Sequence, residues 1–297
     1  MMIVHNGTCT MKCSVFEDIR IAREVGFDGI ELIGPKIDRA LEIGFTVDLI
    51  ERELDGFPVV ALSFIPDIDR FEPADYDAMI KEAKIRFAQA KRLGADRVEV
   101  VVGPVGPGLG GAGGGYQGLM GRPIDEVIER TAKNLRALAD IAGDDGLKLY
   151  LEPLAWAPLR QLSDLIKTVD VTGRENVGLV IDFWHLWVIG IEAAEVAKID
   201  PRYVFGVHFC DSLARPPKGT RIMHNLREVW TGGGHVPLQD WTDALVTAGY
   251  DGWWSTEMFA PQFAERDPRT TARLLQETTR LMVESAVPFG TRPKVVS

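Results

Sequence analysis

Eight short apolar runs, each followed by a longer stretch, constrain the fold of this chain more than any other feature. The runs fall at 3–5, 29–32, 59–62, 98–102, 149–152, 178–182, 204–208 and 253–257. Segments with helical spacing lie between or after them, among others at 14–25, 74–93, 123–142 and 270–285. Strands alternating with helices pair in parallel through right-handed crossovers. Such strands are covered on both faces and read as nearly unbroken Val/Ile/Leu runs, as Gly178-Leu179-Val180-Ile181 does. Count and order predict a single (β/α)8 TIM barrel spanning 1–297, the rival topology being a doubly wound open sheet. That rival would put a ligand at one switch point, not along many strand ends.

The punctuation between elements agrees with the barrel. Ser14 with Glu17 reads as a capping box opening the first helix. Gly26-Phe27-Asp28-Gly29 and its late echo Gly249-Tyr250-Asp251-Gly252 each read as a helix ending on glycine and feeding the next strand. Two extended loops, at about 103–118 and 210–238, follow predicted strand C-termini, the face on which barrel enzymes build their sites.

Charge narrows the function. The 33 Lys and Arg against 43 Asp and Glu leave a net −10, which argues against nucleic acid or an anionic membrane surface as partner. No stretch approaches the roughly 18 apolar residues of a membrane span, and the N-terminal residues carry no apolar signal core. Cys9, Cys13 and Cys210 form neither a disulfide framework nor a zinc pattern. A cytoplasmic protein is expected, either a homo-oligomer or one subunit of a hetero-complex.

Glu152, Asp182, His208 and Glu257 end the fifth to eighth predicted strands. Neighbouring strands lie about 4.8 Å apart, so four consecutive ends can aim side chains at one point near the barrel axis. One acidic residue at a strand end is ordinarily a helix cap or a surface group; the signal is four in register. Three carboxylates and an imidazole make a hard, mostly oxygen donor set for one divalent cation, Mn²⁺ first, with Mg²⁺, Co²⁺ and Zn²⁺ also admissible. Crowded carboxylates repel, and a cation resolves the conflict.

Around that set stand further candidates. His185, three residues past Asp182, suits a hydrogen bond to a substrate hydroxyl, a proton shuttle or a packing role. Arg227 suits a clamp on a substrate oxygen, a partner for a ligand carboxylate, or a surface salt bridge. Trp156 and Trp184 are taken as substrate-facing, since aromatic faces suit the C–H faces of a sugar or cyclitol ring; Trp187 and Trp254 fall in the same region. Asp211 is a candidate to orient His208, or else a cap. His224 and His235 read as mobile loop histidines, and Glu31 and Glu99 as pocket or interior groups outside the catalytic set. Residues 103–115 lack the Gly-Lys-Ser/Thr ending of a phosphate loop, which favours a lid or a partner contact and an unphosphorylated polyol-like ketone as substrate.

Three stretches carry a family resemblance: Asn176-Val177-Gly178-Leu179-Val180-Ile181-Asp182-Phe183-Trp184-His185, Val207-His208-Phe209-Cys210-Asp211, and Ser255-Thr256-Glu257-Met258-Phe259. They resemble the xylose isomerase-like barrels of sugar isomerases and epimerases, and among these most of all the inosose (2-keto-myo-inositol) isomerases. The likeness runs from Gly26 to the last helix and is densest over 148–260. It implies one divalent cation on Glu152, Asp182, His208 and Glu257, with His185 and Arg227 facing the substrate. The family's Pro-Gly-Glu/Gln-Gly before the seventh helix stands here as Thr231-Gly232-Gly233-Gly234-His235, without the polar loop residue.

The expected chemistry is isomerisation or epimerisation of a ketosugar or inosose through an enediolate, with Glu152 or Glu257 removing the proton α to the carbonyl. The nearest rival is a lyase on the same intermediate: an inosose or dehydroshikimate-type dehydratase, or a deglycosidase subunit acting on 3-oxo-glycosides. A metal-dependent endonuclease would carry a basic groove and more metal-binding histidines than this chain's five His supply. A binding or scaffold subunit without catalysis is the non-enzyme alternative.

Overall fold

The structure, a computed structural model, describes residues 1–105, 116–220, 222 and 224–293, without the His224 side chain. Eight parallel strands close a barrel in chain order: β1 (Met2–Asn6), β2 (Gly29–Ile33), β3 (Val59–Ile65), β4 (Arg97–Val101), β5 (Lys148–Glu152), β6 (Val177–Asp182), β7 (Val204–Phe209) and β8 (Trp253–Thr256). The closing pair runs from Met2↔Trp253 to His5↔Thr256, which excludes an open sheet. The surrounding helices are α1 (Val15–Val25), α2 (Gly34–Glu42), α3 (Val47–Leu54), α4 (Pro73–Leu93), α5 (Ile124–Asp144), α6 (Leu162–Thr172), α7 (Phe183–Val188), α8 (Ala193–Val196), α9 (Leu238–Thr247) and α10 (Pro268–Glu284). None of the described helices is long and apolar enough to cross a membrane.

Local chemistry accounts for the boundaries. Ser14 caps α1 by accepting from the Glu17 N–H at 3.3 Å, the serine half of the expected box. Gly26 and Gly249 sit at φ +89° and +93°, where a side chain would be strained, and each lets the chain turn from helix to strand. Asp182 closes β6 and caps α7 at once, its Oδ1 accepting from the His185 N–H at 2.5 Å. Strand β8 ends one residue short of the expected run, so Glu257 lies just past it; its N–H still donates to Phe209 O at 3.1 Å, keeping it in line with β7.

The main core fills the layer between strands and helices, and a separate plug fills the barrel below the strand C-termini: Val4, Val60, Ala61, Tyr150, Val180 and Trp253. Glycines make room for the plug's aromatic rings. A Cβ on Gly206 would lie 2.1 Å from the Trp253 indole, and one on Gly178 would lie 2.4 Å from the Phe205 ring. Gly206→Val therefore lowers folding stability by about 1–3 kcal/mol through overpacking, read from urea melts. Unchanged stability would mean that the Trp253 ring gives way freely.

The two long loops are tied at their flanks. Asp69 accepts from the Gly103 N–H at 2.9 Å and the Leu119 N–H at 3.0 Å, so residues on either side of 106–115 meet at one carboxylate. The lid or partner-contact expectation concerns 106–115 and lies outside the described residues.

Candidate metal centre and cavity

The C-terminal ends of β5 to β8 bring four donors together. Ligand atoms of Glu152, Asp182, His208 and Glu257 all lie within 4.8 Å of one another, and all four residues are buried. Strand pairing explains the convergence, since Asp182 is directly opposite His208 across β6 and β7. The His208 Nδ1 is the atom that faces the cluster. It stands 2.9 Å from Glu152 Oε1, 3.7 Å from Glu257 Oε1 and 3.8 Å from Asp182 Oδ2.

The other ring nitrogen is held by Glu31. Glu31 is wholly buried and takes hydrogen bonds from Asn6 Nδ2 (2.9 Å), Ser255 Oγ (2.6 Å) and the Tyr150 hydroxyl, with His208 Nε2 at 3.2 Å. Burial pushes the Glu31 carboxyl up, but His208 and these donors outweigh it and hold it below its usual range. An ionised Glu31 accepts, so His208 carries a proton on Nε2 and turns Nδ1 to the donor cluster. This carboxylate–imidazole arrangement fixes both tautomer and ring orientation.

Charge balance decides whether the donors suit a cation. Glu31, Glu99, Glu152, Asp182 and Glu257 are buried around one spot, and the opposing charges among the described neighbours are His208 and Arg227. Burial alone would lower the His208 pKa, yet Glu31, Glu257 and the bond to Glu152 hold it well above normal. Glu257 is pushed up to about 8 by burial, against the pull of Arg227 and His208. Glu99 is driven well above the carboxylate range by burial and then by the Glu152 charge. For Glu152, burial is outweighed by the His208 bond, and its pKa is lowered to about 2. A site this short of positive charge, with three carboxylates and one oriented imidazole nitrogen, fits a divalent cation.

A cavity of about 220 Å³ opens over the cluster. Glu152 and Glu257 line it, together with Glu99, His185, Arg227 and Trp156; Asp182 and His208 do not. Arg227 pairs with Glu257 and is stacked between the Trp184 ring at 4.8 Å and the Phe259 ring at 4.3 Å. His185 Nδ1 accepts from the Ala155 N–H at 3.0 Å, which leaves the proton on Nε2. Burial lowers the His185 pKa to about 4, so the ring is neutral at pH 7.

A profile of xylose isomerase-like TIM barrels matches residues 19–280. The chain belongs to that family. A curated relative, the inosose isomerase of Halalkalibacterium halodurans, is 23% identical over 286 residues, covering 94% of this chain and 95% of the relative. The 3-dehydroshikimate dehydratase of Pseudomonas aeruginosa is 24% identical over 296 residues, 95% of this chain but 43% of that protein. Among solved structures, the IolI protein with a bound zinc atom superposes with a TM-score of 0.84 at 21% identity, covering 97% of this chain and 99% of that one.

Within this family barrel, several sequence candidates sit otherwise than expected. Trp184 is fully buried behind Arg227 and does not line the cavity; Trp156 does, its Nε1 donating to Pro104 O at 3.0 Å. Trp187 packs under Arg215 at 4.4 Å, and Trp254 is core. Asp211 does not reach His208. Its carboxylate instead gathers the N–H groups of Ser212 (2.7 Å), Gly232 (2.9 Å), Gly234 (2.8 Å) and Val236 (3.0 Å), which is the cap alternative, and so it shapes the Thr231-Gly232-Gly233-Gly234-His235 loop. His235 on that loop is exposed, and the His224 side chain lies outside the described residues. The role expected of Asp211 belongs to Glu31, whose sequence signal was a carboxylate inside the buried run Gly29-Ile30-Glu31-Leu32-Ile33.

Glu31→Gln keeps the shape but offers an amide to Nε2 in place of a charge. It weakens divalent-metal affinity by about 10–100-fold, measured by competition with a chelator dye. Wild-type affinity in the variant would remove Glu31 from the account.

Proposed function

We propose that this chain is a divalent-metal-dependent isomerase or epimerase of a ketosugar or inosose. The observation that carries the reading is the division of the four donors. Asp182 and His208 lie beneath the cavity without lining it, while Glu152 and Glu257 form part of its wall. Two donors thus serve as pure ligands, and two can also touch a substrate carbon.

Glu152, Asp182, His208 and Glu257 would hold the cation, Mn²⁺ by the preference of a mainly carboxylate set, and it would supply Lewis acidity to a ketone carbonyl and to the negative charge that grows on its oxygen. The remaining work falls to side chains. One of Glu152 and Glu257 takes the proton from the carbon α to the carbonyl; the C–H pair becomes the C=C bond, and the carbonyl π pair moves onto oxygen. The other carboxyl, once it has taken up a proton from solvent, delivers it to the opposite face of the same carbon for epimerisation; for isomerisation the proton goes to the former carbonyl carbon while the α-hydroxyl proton passes to the former carbonyl oxygen, so that a new carbonyl forms next door. His185 donates its Nε2–H to a substrate oxygen; with Nδ1 occupied by Ala155 it holds the oxygen and does not relay protons. Arg227, locked between two rings, keeps Glu257 aimed. Trp156 supplies an aromatic face for the ring's C–H groups and sheds water.

The dehydratase relative supports a second reading, loss of a β-hydroxyl as water from the same enediolate. One experiment separates the two. Protein loaded with Mn²⁺ and incubated with 2-keto-myo-inositol in D₂O is followed by proton NMR and mass spectrometry. The proposal expects loss of the α-proton signal and a new isomer of unchanged formula apart from deuterium. A product lighter by one water favours the lyase, and absence of exchange with ring ketones and ketoses alike removes the proposal.

A further inference from the structure

Lys36, in the first turn of α2, stands in the cavity wall, yet its ammonium is fully engaged inside the protein. It donates to Gly7 O and Thr10 O, both at 2.9 Å, and to Asp18 Oδ2 at 2.7 Å. Three donors meet three acceptors, so none is left for a ligand. Gly7 and Thr10 are the two ends of a short 3₁₀ turn that carries the chain out of β1. The Thr10 hydroxyl donates to the other Asp18 oxygen at 2.6 Å. That hydroxyl has one proton, so in its 3.2 Å contact with His5 the ring Nε2 is the donor. Burial, then Lys36, lowers the His5 pKa to about 3. The ring is neutral, and Lys36 supplies the positive charge at the turn.

The turn meets the metal site on two sides. Asn6, just before it, accepts the Thr8 N–H (2.9 Å) and the Thr8 hydroxyl (2.7 Å) on Oδ1. Those bonds decide which end of the amide is which, so Nδ2 faces Glu31 and donates to it at 2.9 Å. Glu31 in turn holds His208 Nε2. On the other side, Cys9 Sγ donates to Thr256 O at 3.0 Å, and Cys9 shares a buried cluster with Met258. Thr256 and Met258 are the residues that flank Glu257, so both sides of that carboxylate lean on the turn. Without the ammonium, Gly7 O, Thr10 O and Asp18 lose a donor in the interior, which is costly enough to move the turn.

We infer that Lys36 is a positioning residue for the metal centre: by fixing the Gly7–Thr10 turn it holds Asn6 against Glu31, and so His208, and holds Cys9 against the backbone that carries Glu257. This rests on the reading of Glu152, Asp182, His208 and Glu257 as ligands of one cation, and it does not depend on which ketone the site accepts.

The test compares the full-length chain with Lys36→Met, which keeps the length of the stem and removes the donors. Mn²⁺ affinity, read by competition with a chelator dye well below the melting transition, falls about three- to tenfold, less than for Glu31→Gln because Lys36 acts through Asn6. A role in folding alone lowers the melting temperature and leaves the affinity of the folded protein unchanged. The second readout is thiol protection, with Cys13→Ser placed in both chains. Cys9 and Cys210 are buried, so the parent takes up no iodoacetamide. In Lys36→Met, Cys9 becomes alkylated, located by peptide mass. Lys36→Gln, which keeps two donors, replaces the Met variant if that one does not fold, and gives smaller changes of the same sign. Affinity equal to the parent's overturns the inference. Lowered affinity with Cys9 still protected upholds it through Asn6 and Glu31 alone. If the parent binds no Mn²⁺, the metal reading falls, and the thiol readout decides: a protected Cys9 then overturns the positioning of the turn by Lys36.

Discussion

Glu257→Gln lowers kcat by about 10²–10⁴-fold, and α-proton exchange falls with it. Gln is nearly isosteric and its carbonyl still accepts from Arg227, so the stacked arginine stays placed between Trp184 and Phe259. What disappears is a carboxylate able to take or return a proton at the cavity surface. Glu152→Gln gives a loss of the same order, because the two carboxyl groups divide removal and return between them. Metal content measured on the same samples separates lost proton transfer from lost cation. Exchange within tenfold of wild type in both variants, with metal retained, would exclude these two residues as the acid–base pair.

Removal of divalent ions by chelation abolishes turnover and lowers the melting temperature, and the size of the thermal effect depends on pH. Glu257 in the metal-free fold titrates near 8, above the ordinary carboxylate range, because burial outweighs Arg227 and His208. A carboxyl raised in this way is favoured as the neutral acid, so the metal-free fold loses stability as pH climbs from the unfolded value toward 8. A cation binds the ionised form and competes with that proton; the elevated His208 pKa acts in the same sense. The stabilising increment from saturating Mn²⁺ is therefore larger at pH 8 than at pH 6. At a free concentration of 100 times Kd the increment is about 2.7 kcal/mol, roughly 5 °C for a chain of this size. An increment that is flat, or larger at pH 6, contradicts the assignment of Glu257 as a ligand.

Much of this site was legible before any coordinates, for a physical reason. Glu152, Asp182 and His208 each interrupt an apolar run at the point where a parallel strand leaves the barrel, so position along the strand alone aims them at one face. Glu31 and Glu99 carry no such mark. They sit inside strands covered on both faces, where apolar periodicity does not tell inward from outward positions. Their direction depends on barrel stagger, and the β2–β3 register shifts between Ile30 and Glu31. The same limit applies to Trp184, whose closeness in sequence to Asp182 suggested the cavity, whereas the first turn of α7 carries it behind Arg227. Asp211 lies close to His208 in sequence but is held to its own loop, since four backbone N–H groups outbid one ring. Hydrogen-bond partners of this kind come from packing between distant segments, and no local pattern records them.

The central claim, that side chains from β5 to β8 hold one cation, is tested most directly by counting metal. Protein equilibrated with Mn²⁺ and freed of excess is assayed by inductively coupled plasma mass spectrometry, beside Asp182→Asn and His208→Ala. The expected result is one ion per chain in the wild type and less than about a tenth of that in either variant. Wild-type protein that binds no stoichiometric divalent ion, or variants that keep a full complement, would contradict the claim.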